Sequence, residues 1–331
     1  MFASIIAPCL TEIFQYSLDT YTVPSIWKVA RVIPIYKKGS KELPTNYRPV
    51  SLTCITCKLL EHVVSSEIHD HLNTYNILHD SQHGFRSGRS CDSQLVHTIN
   101  DLASNLDNRI VTDVIILDFS KAFDTVNHRK LLLKLNFYGI NEKLIFWIED
   151  ILSDRRQFVS VEDANSPFCK INSGVPQGSV LGPLLFLSYV NDLPDLMVSE
   201  CRLFADDTLL FNSRDNKAVL QQDLNVLQRY ANDWQLTFNV SKCAVLSVGE
   251  SKSRISYFLC DQRLNNVDSH PYLGIELQNN LKWEKHYVKI IGKANRTLYM
   301  LRRVLKHADT KTRKIAYFSL VRPLLEYGCQ V

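Results

Sequence analysis

The chain has 331 residues, of which 45% are hydrophobic and 22% charged, with a formal net charge of +4. These values suit two or three packed domains and exclude wholesale disorder. The longest apolar run, Val180 to Val190, is interrupted by Gly182 and Pro183, and no basic segment precedes the apolar amino terminus, so neither a membrane span nor a secretory signal is predicted. Nine irregularly spaced cysteines suit a reducing compartment, so we expect an intracellular protein of the nucleus or cytoplasm.

The first half of the chain predicts helices from apolar residues at helical spacing and strands from short β-branched or apolar runs. In chain order these are a helix over residues 1–26, a strand over Ala30–Tyr36, helices over Leu52–Leu72 and Ser93–Leu106, a strand over Val111–Leu117 and a helix over Lys130–Phe137. Asp118 stands where the second of these strands ends.

The second half predicts a sheet interleaved with helices and then a helical end. Its predicted elements are strands Phe158–Val161 and Phe168–Ile171 around a turn at 163–167, helix Ser179–Val190, strands Cys201–Ala205 and Thr208–Asn212, helix Lys217–Trp234, strand Ala244–Val248, further strand within 255–275, and helices Trp283–Lys306 and Thr310–Val321. The strands around Asp206-Asp207 are too close together for a crossover, so they should be antiparallel. We therefore expect an α/β (α+β) fold with a mixed or antiparallel sheet and helical lobes.

Positive charge concentrates at the two ends of this nearly neutral chain. Residues 282–322 contain twelve Lys or Arg against Glu284 and Asp309, and residues 28–48 contain six against Glu42. Two basic segments suggest the walls of a groove for a polyanion such as nucleic acid. On charge alone, a pair of solvated helix faces is an equally good interpretation.

Three carboxylates follow or separate apolar strands. Asp206 and Asp207 repel each other at a tight turn, which a divalent cation would relieve, although Asp also favours turns for local reasons. Asp118 at the end of a buried strand adds a third acid, and such a set could hold two Mg²⁺ ions about 4 Å apart. Asp124 suits the N-cap of the following helix better than a metal site.

At this point the residues resemble a known family, the reverse transcriptases of non-LTR (LINE-type) retrotransposons, most closely the jockey-like group. The matching motifs lie in family order from about residue 24 to 331: I-P-I-Y-K-K-G (33–39), N-Y-R-P-V-S-L (46–52), Q-H-G-F-R-S-G-R (82–89), L-D-F-S-K-A-F-D (117–124), G-V-P-Q-G-S-V-L-G-P (174–183), F-A-D-D (204–207) and Y-L-G (272–274). Seven motifs in order are far more specific than any one of them.

The resemblance implies a right-hand polymerase with fingers, palm and thumb. The N-terminal extension and fingers would occupy residues 1–110, a palm of mixed or antiparallel sheet packed on helices would occupy 111–280 with a fingers insertion at about 128–175, and a partial helical thumb would occupy 281–331. The motifs begin at the edge of the fingers, so we expect a chain truncated to the polymerase domain, without the endonuclease domain of full-length elements.

The implied activity is RNA-directed DNA polymerisation, in which dNTPs are added to a primer 3′-hydroxyl by two-metal-ion nucleotidyl transfer. Asp118, Asp206 and Asp207 would be the metal ligands for two Mg²⁺ ions, with Mn²⁺ as an alternative. Lys242 would protonate the leaving pyrophosphate, unless it is an ordinary surface lysine. The implied partners are an RNA template, a DNA primer and dNTPs, with no organic cofactor and no membrane.

The resemblance also assigns binding residues. Phe123 would be a steric gate that excludes a ribose 2′-hydroxyl, unless its ring is simply part of the core. The residues assigned to the incoming nucleotide are Lys37, Lys38, Arg48, Phe119, Phe123, Gln177 and Gly178, of which Lys37 or Lys38 and Arg48 would hold the triphosphate. The residues assigned to template and primer are Arg86, Arg89, Tyr272, Leu273 and Gly274.

Two other interpretations remain open from the sequence. The chain could be a catalytically silent nucleic-acid-binding protein descended from such an element, with the basic walls retained and turnover lost. It could instead be a related palm polymerase, such as a group II intron maturase, a telomerase or an RNA-dependent RNA polymerase. The S-K-A-F-D and Q-G-S-V-L-G-P forms favour the retrotransposon group, and an NTP-using enzyme would have a small residue in place of Phe123.

Overall fold

The structure is a computed structural model that describes residues 2–37, 39–162, 164–250 and 253–331. The helices in chain order are α1 Ala3–Thr20, α2 Ile55–Thr74, α3 Cys91–Asp107, α4 Ala122–Thr125, α5 His128–Phe137, α6 Glu142–Leu152, α7 Leu181–Val190, α8 Lys217–Asp233, α9 Glu284–Val304, α10 Thr310–Leu320 and α11 Arg322–Glu326. The strands in chain order are β1 Val29–Tyr36, β2 Tyr47–Leu52, β3 Thr112–Asp118, β4 Arg156–Val161, β5 Ala164–Asn165, β6 Cys169–Lys170, β7 Glu200–Phe204, β8 Asp207–Ser213, β9 Ala244–Val248, β10 Phe258–Leu259, β11 Gln262–Arg263, β12 Asn265–Val267, β13 Ser269–Tyr272 and β14 Ile275–Gln278.

The chain divides into two compact units, each built from separate stretches of sequence. Unit 1 comprises residues 2–85, 119–196 and 229–238, and unit 2 comprises residues 86–118, 197–228 and 239–331. Helix α8 begins in unit 2 and ends in unit 1. The fingers, palm and thumb boundaries drawn from the resemblance remain a prediction.

Unit 1 is built on a mixed sheet in the order β2-β1-β4-β5, with β6 also paired to β4. β1 runs antiparallel to β2 and parallel to β4. β2 lies at the edge of this sheet, where Pro49 is tolerated because proline cannot donate a ladder hydrogen bond. The helical part of the unit buries large side chains completely, among them Trp147, Phe186 and Tyr189.

Unit 2 is built on a second sheet in the order β12-β9-β3-β8-β7. The central strand β3 pairs antiparallel with β8 and β9, while β9 and β12 run parallel. Residues 112–117 of β3 are buried, as the β-branched and apolar side chains in this run predict. Asp113 is the exception, an acid that is buried because its carboxylate accepts from the hydroxyls of Ser247 and Tyr257. The observed mixed α/β architecture, with antiparallel pairing around the acid pair, confirms the fold class expected from the sequence.

Apolar side chains hold α3 against the unit 2 sheet. Leu95 and Leu102 of α3 belong to the same buried cluster as Val114, Leu209 and Leu246 of the strands. Burying each such side chain contributes roughly 1.5–3 kcal/mol to the free energy of unfolding. The cluster therefore supports the central strand from which Asp118 emerges.

The carboxyl-terminal helices α9–α11 of unit 2 pack around a small cluster of Ala294, Leu301 and Val321. Much of α9 and α10 is exposed, including Tyr299, Val304 and Phe318. Within the described part of the chain, no helix combines the length and the apolar composition that crossing a membrane requires.

Most predicted elements are confirmed within a few residues, but β2, α6 and the short helices α4 and α11 were missed. The helix expected over Leu52–Leu72 begins at Ile55, and the residues before it form β2. Helix α6 was not predicted, although Ile148, Ile151 and Leu152 recur on one buried face. The hairpin around residues 163–167 is present as β4 paired with β5 and β6, with Asp163 itself outside the described residues.

Candidate active site

Two acidic residues meet at one end of the unit 2 sheet. β3 and β8 pair antiparallel with Asp118 directly opposite Asp207. Residues opposite each other in an antiparallel pair project from the same face, with Cβ atoms about 5 Å apart. The structure therefore brings together carboxylates that are 89 residues apart in the sequence.

The third acid, Asp206, lies in the two-residue turn between β7 and β8, where Phe204 pairs with Asp207. The other turn residue, Ala205, has a φ of 57°. This left-handed conformation costs a residue with a Cβ about 1–2 kcal/mol. Such backbone strain concentrates at functional sites, where surrounding contacts hold it in place.

Lys242 lies beside Asp118. Its Nζ is 2.7 Å from Oδ2 of Asp118. The main chain supports this position, because the N–H of Asn239 donates to the Asp118 carbonyl at 2.8 Å. Asp118 is therefore held from its main chain and paired with a cation through its side chain.

The donor chemistry of this cluster fits a hard divalent cation, because Mg²⁺ prefers carboxylate oxygens. Asp118 and Asp207 are placed to act as ligands, and the Lys242 ammonium already gives Asp118 a cationic partner. Across residues 2–37, 39–162, 164–250 and 253–331, no group of three or more Asp, Glu, His or Cys side chains forms a ready metal site.

In unit 1, the Gln177 loop (residues 173–180) is tied to the segment that carries Phe123. The main-chain N–H of Val175 donates to the Phe123 carbonyl at 2.7 Å. The side chain of Gln177 donates through Nε2 to Oδ1 of Asp124 at 3.0 Å. Two residues that the resemblance assigns to nucleotide binding, Phe123 and Gln177, thus share one hydrogen-bonded substructure.

Gly178 occupies a position that only glycine fits. Its φ is 127°, and an added Cβ would lie 2.3 Å from the carbonyl oxygen of Ser51 on β2. In the same contact, the N–H of Ser51 donates to the Gln177 carbonyl at 2.9 Å. The loop therefore packs its backbone directly against the edge strand of the unit 1 sheet.

The prediction that Asp124 caps the following helix was wrong. The N-cap of α5 is Asn127, whose side chain accepts from the N–H of Lys130, while Asp124 lies within α4. Burial raises the pKa of the Asp124 carboxyl, and its hydrogen bond from Gln177 acts in the opposite direction. The carboxyl serves a partner 53 residues away, which local spacing could not reveal.

The two phenylalanines of the first acid motif differ in accessibility. The Phe119 ring is only 4% exposed and stacks on Phe238 at 4.6 Å between ring centroids. A role for Phe119 in nucleotide binding would therefore come from its main chain. Phe123 is half-buried and stacks on Phe186 of α7 at 4.4 Å, which fixes the plane of its ring.

Two of the basic residues assigned to the triphosphate, Lys37 and Arg48, lie on the β1–β2 hairpin. Arg48 pairs in register with Ile35 and is exposed. Lys37 is also exposed, and its N–H donates to the Asn46 carbonyl at 2.9 Å. Lys38 lies outside the described residues.

The residues assigned to template and primer lie in two turns of unit 2. Arg86 and Arg89 belong to one turn, where the Arg89 N–H donates to the Arg86 carbonyl at 3.3 Å. Leu273 and Gly274, with φ of 42° and 89°, form the two-residue turn between β13 and β14. The Tyr272 side chain is 3% exposed, and its hydroxyl accepts from Gln94 at 3.2 Å. Tyr272 therefore anchors the hairpin to the core of unit 2.

One charged residue at the Gln177 loop was missed by sequence reasoning. Glu61 of α2 is buried, and its Oε2 accepts from the N–H of Val180 at 2.6 Å. In the sequence, Glu61 is one polar residue among the apolar residues that predicted α2. Its partner lies 119 residues further on, so no local signal marks the contact.

The chain matches the family described as reverse transcriptase (RNA-dependent DNA polymerase) over residues 35–277. It is 29% identical to the probable RNA-directed DNA polymerase from transposon BS of Drosophila melanogaster, over 97% of this chain and 38% of that protein. It is 30% identical to the RNA-directed DNA polymerase from mobile element jockey of the same organism, over 97% of this chain and 37% of that protein. The chain thus spans less than half the length of these curated relatives.

Solved telomerase structures resemble the fold. Telomerase from Candida tropicalis in complex with a TWJ fragment of telomeric RNA aligns with a TM-score of 0.55 at 13% identity, over 96% of this chain and 56% of that chain. The apo enzyme from the same organism aligns with a TM-score of 0.56 at 13% identity, over 83% and 53%. At this identity the likeness shows a shared polymerase-like fold.

The sequence relatives are reverse transcriptases of jockey-like non-LTR retrotransposons, as the motifs had indicated. The family match begins within β1 and ends within β14, so it includes Asp118, the acid hairpin and the Gln177 loop. The chain belongs to the reverse transcriptase (RNA-dependent DNA polymerase) family.

Proposed function

We propose that the chain is an RNA-directed DNA polymerase that adds dNTPs to a primer 3′-hydroxyl by two-metal-ion nucleotidyl transfer, in retrotransposition. The observation that carries the proposal is the register of β3 and β8, which sets Asp118 opposite Asp207 and next to the turn that holds Asp206. Family membership supports the reaction class.

Asp118, Asp206 and Asp207 would hold two Mg²⁺ ions, with Mn²⁺ as an alternative. When bound, such ions activate the attacking hydroxyl and neutralise charge on the triphosphate. The chain would contribute carboxylates from a central strand and an adjoining hairpin, whose backbone pairing sets where the ions would be held. The ammonium group of Lys242 donates a hydrogen bond to Asp118. In the reaction it would give a proton to the leaving pyrophosphate.

Unit 1 would bind the incoming nucleotide. Gln177 and Gly178 would pack against its base and sugar, with the Phe123 ring placed to exclude a ribose 2′-hydroxyl. Lys37 or Lys38 and Arg48 would bind the triphosphate, where fixed cations stabilise the developing negative charge.

Nucleic acid would be bound by basic and hairpin elements of unit 2, in a right-hand scheme of fingers (1–110), palm (111–280) and thumb (281–331). Arg86 and Arg89 would contact template phosphates, and the turn at Leu273 and Gly274 would contact the primer. The basic helix α9 would grip the primer–template duplex through its phosphates.

A primer-extension assay tests the proposal directly. We expect the purified chain to extend a DNA primer on an RNA template with dNTPs and Mg²⁺. Asp206→Asn and Asp207→Asn should each reduce the rate at least about a thousand-fold, since metal coordination supplies several kcal/mol of transition-state stabilisation. Affinity for the primer–template should change little.

The matched control is Asp261→Asn, which makes the same change in the turn between β10 and β11 of the same unit. Asp261 has a φ of 57°, which asparagine tolerates, so this variant should keep wild-type activity. If the wild type binds tightly but extends no primer, the catalytic proposal fails. The second candidate, a silent nucleic-acid-binding protein, then accounts for the retained basic segments.

A further inference from the structure

Glu61 is an acidic residue on the buried face of α2. Its side chain is 2% exposed, and the neighbouring positions on that face, Leu60, Val64 and Ile68, are apolar. Burying a carboxylate is costly unless hydrogen bonds and opposite charge compensate for lost hydration. Glu61 therefore needs specific partners in the fold, and the structure supplies them at the start of α7.

The carboxylate caps α7 from outside that helix. Its Oε2 accepts from the N–H of Val180 at 2.6 Å and of Leu181 at 3.2 Å. The N-cap residue Val180 makes no side-chain cap, the first turn has no acidic residue, and the nearby Ser179 Oγ accepts from the N–H of Gly182, at 2.9 Å. Glu61 thus satisfies N–H groups that would otherwise be orphaned, and its charge complements the positive end of the helix dipole.

The Gln177 loop runs directly into this capped helix start. Gln177 and Gly178 stand three and two residues before Val180, and both are packed against β2 through Ser51. The loop is therefore held at its middle by Ser51 and at its end by Glu61. Loss of the second support would leave the N–H groups of Val180 and Leu181 without this acceptor, so the end of the loop would then be held through Ser179, which contacts Pro176 and Gly182.

A buried cation accompanies Glu61. Arg155 is 2% exposed, and its Nη1 donates to the Ile151 carbonyl at 3.2 Å. Within the described residues its Nε and Nη2 have no hydrogen-bond partner. Burial lowers the pKa of Arg155, and the negative charge of Glu61 opposes that effect. The charge of Glu61 therefore stabilises a neighbour as well as α7.

We propose that Glu61 is a positioning residue for nucleotide binding. It contacts no nucleotide itself and acts through the main chain of Val180 and Leu181, which sets where Gln177 and Gly178 stand. The inference rests on the proposed function, because it assigns Glu61 to the loop that would contact the incoming dNTP.

The test compares Glu61→Ala, Glu61→Gln and Glu67→Ala in primer extension at saturating template–primer. Glu67 is the matched control, because it is exposed on the same helix and carries the same charge. Glu61→Ala should raise the KM for dNTPs about ten-fold, with a smaller change in kcat, since a lost cap and a loosened loop weaken ground-state binding. Glu61→Gln keeps an acceptor oxygen for Val180 and should rescue much of that loss, whereas Glu67→Ala should match the wild type.

A purely structural role would lower the yield of active enzyme, and with it kcat, while the KM for dNTPs stayed unchanged. That result would overturn the inference. If Glu61→Ala does not fold, Glu61→Asp decides, because it keeps the charge but draws the carboxylate back by one methylene from the N–H groups of Val180 and Leu181. A raised KM for dNTPs then supports positioning, and an unchanged KM contradicts it.

A chain-terminated primer separates this inference from the proposed function. dNTP affinity is then measured at equilibrium on the enzyme–template–primer complex, without chemistry. If the wild type is inactive but its dNTP affinity depends on Glu61, the polymerase proposal fails and the positioning role stands. If the wild type is active but its dNTP affinity is the same with and without Glu61, the polymerase proposal stands and the positioning role fails.

Discussion

The ring of Phe123 sits on a fixed support, because it stacks on Phe186 at 4.4 Å with an interplanar angle of 24°. We predict that Phe123→Val admits NTPs, because the smaller side chain leaves room for a 2′-hydroxyl. The preference for dNTPs over NTPs should fall by on the order of ten- to a hundred-fold, the range that a change of pocket volume produces. The measurement is the ratio of kcat/KM for dTTP and UTP on the same template.

Phe158→Val is the matched control for this variant. Phe158 is another partly buried phenylalanine of unit 1, paired with the Phe168 ring at 5.3 Å, and it has no assigned role in nucleotide binding, so selectivity should stay close to that of the wild type. Unchanged selectivity in Phe123→Val would show that its ring belongs to the core and is no gate.

Lys134 of α5 is a second residue whose environment has a measurable consequence. It is 4% exposed, contacts Asp192 and the Tyr230 hydroxyl, and lies over the Trp234 ring at 3.7 Å from the centroid. Burial lowers the pKa of Lys134 to about 8, against the opposing effect of Asp192. The folded protein therefore releases this proton at a lower pH than the unfolded chain.

The sign of the pH dependence follows from that difference. Between about pH 8 and the ordinary lysine pKa of 10.5, the unfolded chain binds more protons at Lys134, so its contribution to folding stability rises with pH. Relative to Lys134→Met, the wild type should gain about 1–2 kcal/mol between pH 7.5 and 9.5. Above that range Tyr230 acts oppositely, because burial raises its pKa.

Urea unfolding of both proteins at the two pH values measures this gain. Lys143→Met, at an exposed position on α6, is the control and should show no such gain over the same range. A stability difference between wild type and Lys134→Met that is constant with pH would contradict the prediction.

At the scale of elements, the hairpin that carries Asp206 is strained at Ala205. Its φ of 57° is unfavourable for alanine by about 1–2 kcal/mol, while glycine adopts it freely but costs about 0.5–1 kcal/mol of additional chain entropy. The Ala205 methyl is also buried, at 6% exposed, and its loss costs up to about 0.8 kcal/mol more. Relief of the strain should therefore offset both losses, so Ala205→Gly should leave the free energy of unfolding nearly unchanged. Denaturant unfolding of the two proteins measures it.

The same substitution in an unstrained helix should be clearly destabilising. Ala218→Gly, at an exposed position in α8, should destabilise the protein by about 0.5–1 kcal/mol, because glycine loses more entropy there without relieving strain. Destabilisation by Ala205→Gly of similar size would show that the hairpin holds alanine without strain.

The elements that the sequence predicted are those whose local pattern matches their environment. β3 is buried along almost its whole length, so a β-branched apolar run identified it, and α8 has a clear apolar stripe. β2 was missed because Pro49 argues against a strand, and only its edge position in the sheet makes proline acceptable there. A burial pattern can be read from neighbouring residues in the sequence, whereas the position of a strand in its sheet depends on residues far away in the chain.

The residues of the candidate site also fall into those that a local pattern predicts and those that it does not. The sequence identified Asp118, Asp206 and Asp207 because each acid stands at the end of an apolar strand, and the strand register then brings Asp118 and Asp207 together. Glu61 and the Asp124–Gln177 contact could not be predicted, since their partners are 119 and 53 residues away. Only the packed fold shows that these two acids contact the Gln177 loop.

At the scale of the whole molecule, the net charge is only +4, but the carboxyl-terminal region is strongly basic. Lys293, Arg296 and Arg303 are exposed on α9 at spacings of three and seven residues, which places them along one helix face. If that face contacts duplex phosphates, each contact releases counterions, and the logarithm of affinity falls with the logarithm of salt concentration by about 0.9 per phosphate. Replacing all three with Gln should therefore reduce the salt slope of primer–template binding by roughly two to three.

The control is a second triple variant that removes the same number of positive charges from helices other than α9. Arg129, Lys143 and Lys217 are exposed residues of α5, α6 and α8, and their replacement with Gln lowers the net charge equally. If overall charge alone attracts the nucleic acid, both triple variants should lose the same slope in a titration from about 50 to 200 mM salt. If α9 is a binding surface, only the α9 triple variant should show a smaller salt slope, because the slope depends on the number of phosphates that the protein contacts and not on charges elsewhere. Equal slopes in the two variants would remove α9 from the proposed interface and leave the acid cluster and the Gln177 loop untouched.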